Sequence, residues 1–132
     1  MTDLITRLSK LDGPRYTMDV AIALATDFWP KDRIQNIVYN DDGDPWVYFT
    51  DGPDLPLPPA YTASVDAAIA LAERVLPGWH WSIYDTDGVG RCNAQMERPD
   101  FTGAEDFDGT GATPAIALLI ALLRAKEASN GN

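Results

Sequence analysis

Side chains that could hold an anionic, flat-ringed ligand such as a nucleotide are found in the last third of the chain. The six candidates are Arg91, Arg98, Phe101, Phe107, Thr110 and Thr113. An arginine fork pairs with phosphate, an aromatic ring stacks on a base, and hydroxyls at a helix start add donors where the helix dipole favours an anion. Each residue also has a simpler explanation, as surface charge, as a small core under a loop, or as a helix cap.

The segment 99–112, "PDFTGAEDFDGTGA", lacks periodicity and is rich in glycine and acidic residues. A loop of that length in a compact domain is usually functional or disordered, and we expect this one to close over a ligand. Its acids, Asp100, Glu105, Asp106 and Asp108, oppose an anion there unless they point outward.

The stretch "GTGATPAIALLIALLRAKE", residues 109–127, allows three interpretations. A P-loop requires lysine and a hydroxyl residue after its last glycine, but Ala112-Thr113-Pro114 stand there. A membrane span requires about 20 apolar residues, and the apolar run from Ala115 to Leu123 is about half that length. A helix capped by Thr113 with Pro114 at its first position remains.

No catalytic or metal-binding constellation is apparent. Cys92 and His80 are the only cysteine and histidine, so a Cys/His zinc site is excluded and no nucleophile–base set can be named. Asn40, Asp42 and Asp44 alternate as in a calcium loop, but a hairpin turn explains them better. We therefore predict a protein that is not an enzyme and has no cofactor or metal.

The charge balance limits the partners. Twenty acidic against ten basic residues give a net charge of -10, which opposes binding to polymeric nucleic acid or to an anionic membrane. A local pocket can still hold a small anion. The N-terminus lacks a secretory pattern, so we expect a cytoplasmic location.

The hydrophobic patterns predict the order helix, helix, hairpin, helix, hairpin, helix. This order favours one α+β domain over residues 1–132, an α/β/α sandwich whose small, mostly antiparallel sheet is built from two hairpins with helices on its faces. The segments are "DLITRLSKL", a helix from about Thr17 to Pro30, "RIQNIVYN" with "PWVYFT", "YTASVDAAIALAERVL", "WHWSIY" with "RCNAQME", and the C-terminal stretch.

Ile116, Leu119, Ile120 and Leu123 form one apolar stripe on the last helix, and further leucines add a second. A helix that is apolar on more than one side is buried by more than one neighbour. We therefore expect a homo-oligomer.

Two segments, "PPAYTASVDAAIALAERVLPGWHW" and "TPAIALLIALLRAKE", resemble the phage ABA sandwich domain family, and "DLITRLSKLDGPRYTMDVAIALA" is similar to a common opening among its members. The resemblance spans most of the chain and its motifs are structural. It implies a phage protein with the ABA sandwich fold.

The resemblance also implies a function. Proteins of this kind include anti-Thoeris sponges, which assemble as oligomers and sequester glycocyclic ADP-ribose signals, and in some cases cyclic oligonucleotides, without cleaving them. We therefore expect a non-catalytic anti-defence protein that binds a cyclic nucleotide signal. The alternative is a phage accessory module without a small-molecule ligand that binds another protein through Trp46, Phe49 or the proline-rich connector "DGPDLPLPPA" at residues 51–60.

Overall fold

The structure is a computed structural model that describes residues 2–50, 57–85, 91–98 and 106–130. Its helices are α1 (Thr2–Ser9), α2 (Tyr16–Ala25), α3 (Val65–Val75) and α4 (Pro114–Asn130), with a 3-10 turn at Lys31–Arg33. Its strands are β1 (Ile34–Tyr39), β2 (Pro45–Phe49), β3 (His80–Asp85), β4 (Cys92–Glu97) and β5 (Asp106–Gly111). The predicted α+β class and both antiparallel hairpins are confirmed.

The two hairpins lie in separate sheets. One sheet contains β1 and β2, and the other has the order β3-β4-β5 with antiparallel pairing throughout. Helix α4 lies on one face of the three-stranded sheet, and α1 and α3 contact α4.

The prediction of a loop over residues 99–112 is wrong for its C-terminal part, because residues 106–111 form strand β5. Phe107, Gly109 and Gly111 are directly paired with the β4 residues Met96, Ala94 and Cys92, so they share the face that meets α4. Two of these three inward positions are glycines. Side chains therefore alternate between the two faces as in any strand. The hydrophobicity pattern does not reveal this, because two of the inward positions have no side chain.

The glycines of β5 let α4 approach the sheet closely. A Cβ at Gly109 would collide with the Ala117 carbonyl oxygen and lie 2.6 Å from the Ala121 amide nitrogen. A Cβ at Gly111 would lie 2.6 Å from a methyl carbon of Ile116. Backbone-to-backbone packing at this distance is possible only without a side chain.

The predicted cap at Thr113 is confirmed, and Ser64 caps α3 in the same way. The Thr113 hydroxyl accepts a hydrogen bond from the Ile116 amide at 3.1 Å, and Ser64 caps α3 by accepting one from the Ala67 amide at 3.2 Å. Both bonds satisfy amides that a helix start leaves without an intrahelical partner.

Both apolar stripes of α4 are buried within one copy of the chain, since every residue from Ala115 to Leu123 is at most 2% exposed. This helix therefore offers no uncovered stripe to a second subunit, and the predicted homo-oligomer needs another contact. In the described part of the chain, no helix combines the length and the apolar character that crossing a membrane requires.

We predict that Gly109→Ala destabilises the fold by about 3 kcal/mol or more, because the added methyl group must separate α4 from β5. Gly13→Ala is the matched control, since a Cβ there meets no atom within 4 Å and should change stability by less than about 1 kcal/mol. Urea denaturation followed by circular dichroism gives both values. Equal effects of the two substitutions would refute the close-packing explanation.

Candidate functional site

The structure divides the predicted ligand-binding residues between the two ends of the three-stranded sheet. Arg91 precedes β4 and Arg98 follows it, so seven residue steps separate them, or roughly 23 Å along an extended strand. Thr110 and Thr113 lie at the Arg91 end, and Phe107 lies near the Arg98 end. Phe101 is outside the described residues.

At the Arg91 end, the polar groups already have partners within the chain. Arg91 donates to the Ser9 carbonyl oxygen at 3.3 Å, and the Thr110 hydroxyl donates to the Asn93 side-chain oxygen at 2.7 Å. Thr113 caps α4. The hydrogen bond from the Ile116 amide therefore supports the simpler explanation of Thr113 as a helix cap.

At the Arg98 end, the contacts are aromatic. The Arg98 guanidinium carbon lies 5.5 Å from the centroid of the Trp79 ring, and the rings of Trp79 and Phe107 are 6.1 Å apart. Phe107 is half-buried on the α4 face. Arginine and aromatic side chains therefore meet here, but away from the hydroxyls at the other end of the sheet.

A cleft of about 800 Å³ lies elsewhere, between α1, α2 and the β1–β2 hairpin. Most of its lining is apolar, and the charged groups Asp3, Arg7, Asp27 and Lys31 also line it. The apolar side chains are Leu4, Ala21, Ala23, Leu24, Ala25, Trp29, Ile34, Ile37 and Pro45, together with the exposed ring of Tyr39. This volume is within the range of small-molecule sites.

A second, smaller pocket of about 380 Å³ shares Arg7 with this cleft. Its lining contains three cations, Arg7, Lys10 and Arg15, and one acid, Asp42, together with Leu11 and Met18. Three of the ten basic residues of a strongly acidic chain thus line one pocket. We call the two spaces the apolar cleft and the cationic pocket.

Asp44 holds the two arginines of the cationic pocket in place. Its carboxylate is buried and forms ion pairs with the guanidinium groups of Arg7 and, at 3.1 Å, of Arg15. Arg7 also donates to the Gly43 carbonyl oxygen at 3.0 Å. One carboxylate at the end of the hairpin turn therefore fixes α1, the start of α2 and the hairpin relative to one another.

The turn itself explains why Asp44 reaches this position. The Asn40 side-chain oxygen accepts hydrogen bonds from the Asp42 and Asp44 amides, each at 2.9 Å, and Gly43 takes a positive φ of 84°. An Asx-type turn with glycine in the left-handed region directs the chain back into β2. The interpretation of this stretch as a hairpin turn is confirmed.

The charges around Asp44 outweigh its desolvation. Burial by itself would raise the pKa of this carboxyl, but the hydrogen bond from Arg7 and the charges of Arg15 and Arg7 hold the pKa below its ordinary value. The carboxylate thus stays ionised at neutral pH. Two arginines and Lys10, set against Asp44 and Asp42, leave the cationic pocket with one net positive charge.

A buried network positions the start of α2. Asp19 accepts hydrogen bonds from the Thr62 amide and hydroxyl, both at 2.8 Å, and the Arg15 amide donates to the Thr62 hydroxyl at 2.9 Å. Burial raises the pKa of Asp19, and the bonds from Thr62 oppose that rise. The segment before α3 is thereby tied to the residue that pairs with Asp44.

Cys92 and His80, the side chains most suited to catalysis, line neither the apolar cleft nor the cationic pocket. Cys92 is half-buried on β4 and His80 is exposed on β3. Among the residues that the structure describes, no group of three His, Cys, Asp or Glu side chains is placed to hold a metal ion.

Comparison with protein-family models, curated proteins and solved structures found no match to this chain. The resemblance to the phage ABA sandwich family therefore rests on the sequence motifs alone.

We predict that Asp44→Asn lowers the free energy of unfolding by about 2 kcal/mol at pH 7, because two arginines lose their charged acceptor. A carboxyl with a lowered folded-state pKa stabilises the fold above its unfolded pKa, and this contribution disappears as the pH falls through the folded pKa. The difference between wild type and variant should therefore close below about pH 4.

Urea denaturation across pH 2 to 7, about the range over which carboxyl groups titrate, measures this difference. Asp42→Asn is the matched control, because Asp42 is an exposed acid two residues away in the same turn and should leave stability nearly unchanged. A stability difference for Asp44→Asn that persists undiminished at the acidic limit would contradict the ion-pair explanation.

Proposed function

We propose that this chain is a non-catalytic phage anti-defence protein that binds and sequesters a cyclic nucleotide immune signal, of the glycocyclic ADP-ribose or cyclic oligonucleotide kind. The phage and anti-defence setting is supported by the sequence resemblance. The binding site is supported by the geometry of the apolar cleft and the cationic pocket.

The observation that carries the proposal is that Arg7 lines both spaces at once. A nucleotide has an apolar, flat base and an anionic phosphate separated by a sugar. The apolar cleft offers the exposed ring of Tyr39 to a base, and the cationic pocket offers Lys10 and Arg15 to a phosphate. Base stacking and charge-assisted hydrogen bonds are the usual sources of affinity for such ligands.

This location differs from the one predicted from sequence. Of the residues predicted from sequence, Arg91 lies next to the cationic pocket. Its guanidinium donates a hydrogen bond to the carbonyl oxygen of Ser9, the neighbour of the pocket residue Lys10. Arg98 and Phe107 lie at the far end of β4. We therefore place the ligand between the helices and the hairpin instead of under the segment 99–112.

The side chains around both spaces favour binding over turnover. The described residues that line them include no cysteine, histidine, serine or threonine, which are the usual nucleophiles and bases. The lining acids, Asp3, Asp27 and Asp42, are exposed. Sequestration requires only that the ligand is held intact.

We predict that the purified protein binds at least one member of a panel of cyclic ADP-ribose isomers and cyclic oligonucleotides. Lys10→Gln should weaken that binding by roughly five-fold, the value of about 1 kcal/mol for one exposed charged contact. Tyr39→Ala should weaken it by about ten-fold through lost stacking. Isothermal titration calorimetry gives the affinities, and mass spectrometry of ligand released by heating tests whether it stays intact.

Arg98→Gln is the control for this experiment, since it removes a cation at the other end of the sheet and should leave affinity unchanged. Absence of binding across the panel would refute the proposed function. Loss of binding in Arg98→Gln, with Lys10→Gln unaffected, would restore the site predicted from sequence. Recovery of a cleaved ligand would show that the protein is an enzyme.

A specific observation favours the alternative, a protein-binding module. Val38, Trp46 and Tyr48 lie on the outward face of the β1–β2 hairpin and are 46%, 60% and 55% exposed. Exposed clusters of aromatic side chains are typical of contact surfaces. Phe49 does not belong to this surface, because its ring packs inward at 5.3 Å from Trp29, and residues 51–56 of the connector are outside the described part of the chain.

For this alternative, we predict that a Trp46→Ala, Tyr48→Ala variant loses a stoichiometric protein partner that co-purifies with the wild type from phage-infected cells. The partner's identity is read by mass spectrometry. Tyr16→Ala, a matched change at an exposed aromatic residue of α2, should retain the partner. Equal recovery with all three proteins would refute a binding role for the hairpin.

A further inference from the structure

Asp27 follows the end of α2 in a backbone conformation that glycine adopts more easily. Among the described residues, it is the only one other than glycine with a positive φ, which is 57°. The Phe28 amide next to it donates to the Ala23 carbonyl oxygen at 2.9 Å, which is the bond that closes a helix with a left-handed residue at its end. Glycine is the usual residue at this place because it has no Cβ, so an aspartate there costs conformational energy.

The charge of Asp27 is also unfavourable at this end of the helix. The carbonyl end of a helix carries a partial negative charge, which favours a cation and opposes a carboxylate. The sequence of α2, "YTMDVAIALA", contains no basic residue to offset that charge. Lys31 approaches Asp27 at 3.8 Å, but the two side chains are 84% and 63% exposed, and such a pair adds little stability. The local fold therefore does not explain the acid at this position.

The apolar cleft gives Asp27 a second context, because the residue lines it. The other carboxylate of the cleft is Asp3, which lies in the first turn of α1, where the helix dipole stabilises an acid. Asp27 is thus the carboxylate of the cleft that its own helix disfavours. A residue that costs stability in this way is expected where function requires it.

The chemistry of an ionised carboxylate suits the edge of a nucleobase. A carboxylate accepts hydrogen bonds and donates none, whereas several bases present an exocyclic amino group as a donor. At the rim of the cleft, Asp27 can accept from such a group while the exposed ring of Tyr39 stacks on the face of the base. A carbonyl group in place of the amino group would set one oxygen against another with no proton between them.

We propose that Asp27 determines which bases the cleft accepts, by accepting a hydrogen bond from the exocyclic amino group of the ligand. This role depends on the proposed function, since it lies within the same site. It narrows the ligand to a cyclic nucleotide whose base is adenine, guanine or cytosine. Uracil and hypoxanthine have no such amino group and are disfavoured.

The polarity of α2 agrees with this orientation of the ligand. Arg15 precedes the helix and Asp27 lies beyond its C-cap, Thr26. The helix has 10 residues and is therefore roughly 15 Å long. Its amide end, next to Arg15, favours the phosphate, and its carbonyl end, next to Asp27, favours a hydrogen-bond donor.

Calorimetric titration with two sets of probes tests the proposal. Cyclic di-AMP, cyclic di-GMP and cyclic di-IMP share one phosphate and sugar ring, and glycocyclic ADP-ribose is compared with its inosine counterpart. In the set that binds, the wild type should bind the hypoxanthine probe at least about ten-fold more weakly than the best amino-bearing probe, as expected for one hydrogen bond to a charged group. Asp27→Asn should bring these two affinities within about three-fold, because its amide also donates to a carbonyl oxygen.

Asp3→Asn is the matched control, since it removes the other carboxylate of the cleft and should keep the wild-type preference. Asp27→Gly separates recognition from stability. It should lose the preference, yet unfold at the wild-type temperature or up to about 4 °C above it, because glycine relieves both costs at the helix end.

Equal binding of hypoxanthine and amino-bearing probes by the wild type would overturn the role of Asp27 and leave the proposed function standing. So would a preference that Asp3→Asn loses and Asp27→Asn keeps. An Asp27→Gly variant that unfolds well below the wild type would overturn it too, since the fold would then explain the acid. If the wild type binds no probe of either set, both the proposed function and this role are refuted.

Discussion

The close contact between α4 and β5 determines how the rest of the chain is arranged. Gly109 and Gly111 bring the backbone of the helix against the strand, and α1, α3 and β4 then pack around the same helix. Helix α1 turns Ile5 and Leu8 into this core. Because one face of α1 is committed to the core in this way, Leu4 and Arg7 of the helix, together with Lys10 directly after it, line the apolar cleft and the cationic pocket.

A single carboxylate then connects this core to the hairpin. Asp44 is buried between Arg7 and Arg15, and on the other side of the hairpin the Phe49 ring meets Trp29. A phosphate in the cationic pocket would share these two guanidinium groups with Asp44, since each arginine has several donors. Binding of the proposed ligand would therefore be linked to the position of the hairpin through the same pair of side chains.

Much of the fold follows from local chemistry. Ser64 and Thr113 are caps, the Asn40–Asp44 stretch is a turn, and the hydrophobic spacing marks α3 and α4. Strand β5 could not be found in the same way, because glycines occupy inward positions that a hydrophobic pattern expects to be filled. The candidate site was missed because Arg7 and Asp44 are 37 positions apart and Arg15 and Asp44 are 29 apart. One signal was available, since Arg7, Lys10 and Arg15 are three of only ten basic residues and fall between positions 7 and 15.

We propose that the ligand lies across the apolar cleft and the cationic pocket. This position can be tested by titrating the isotope-labelled protein with the nucleotide that it binds and recording two-dimensional NMR spectra of backbone and side-chain N–H groups. The largest shift changes should fall on Arg7, Lys10, Arg15 and the Trp29 indole. Changes confined to Arg98, Phe107 and the adjoining sheet end would contradict it.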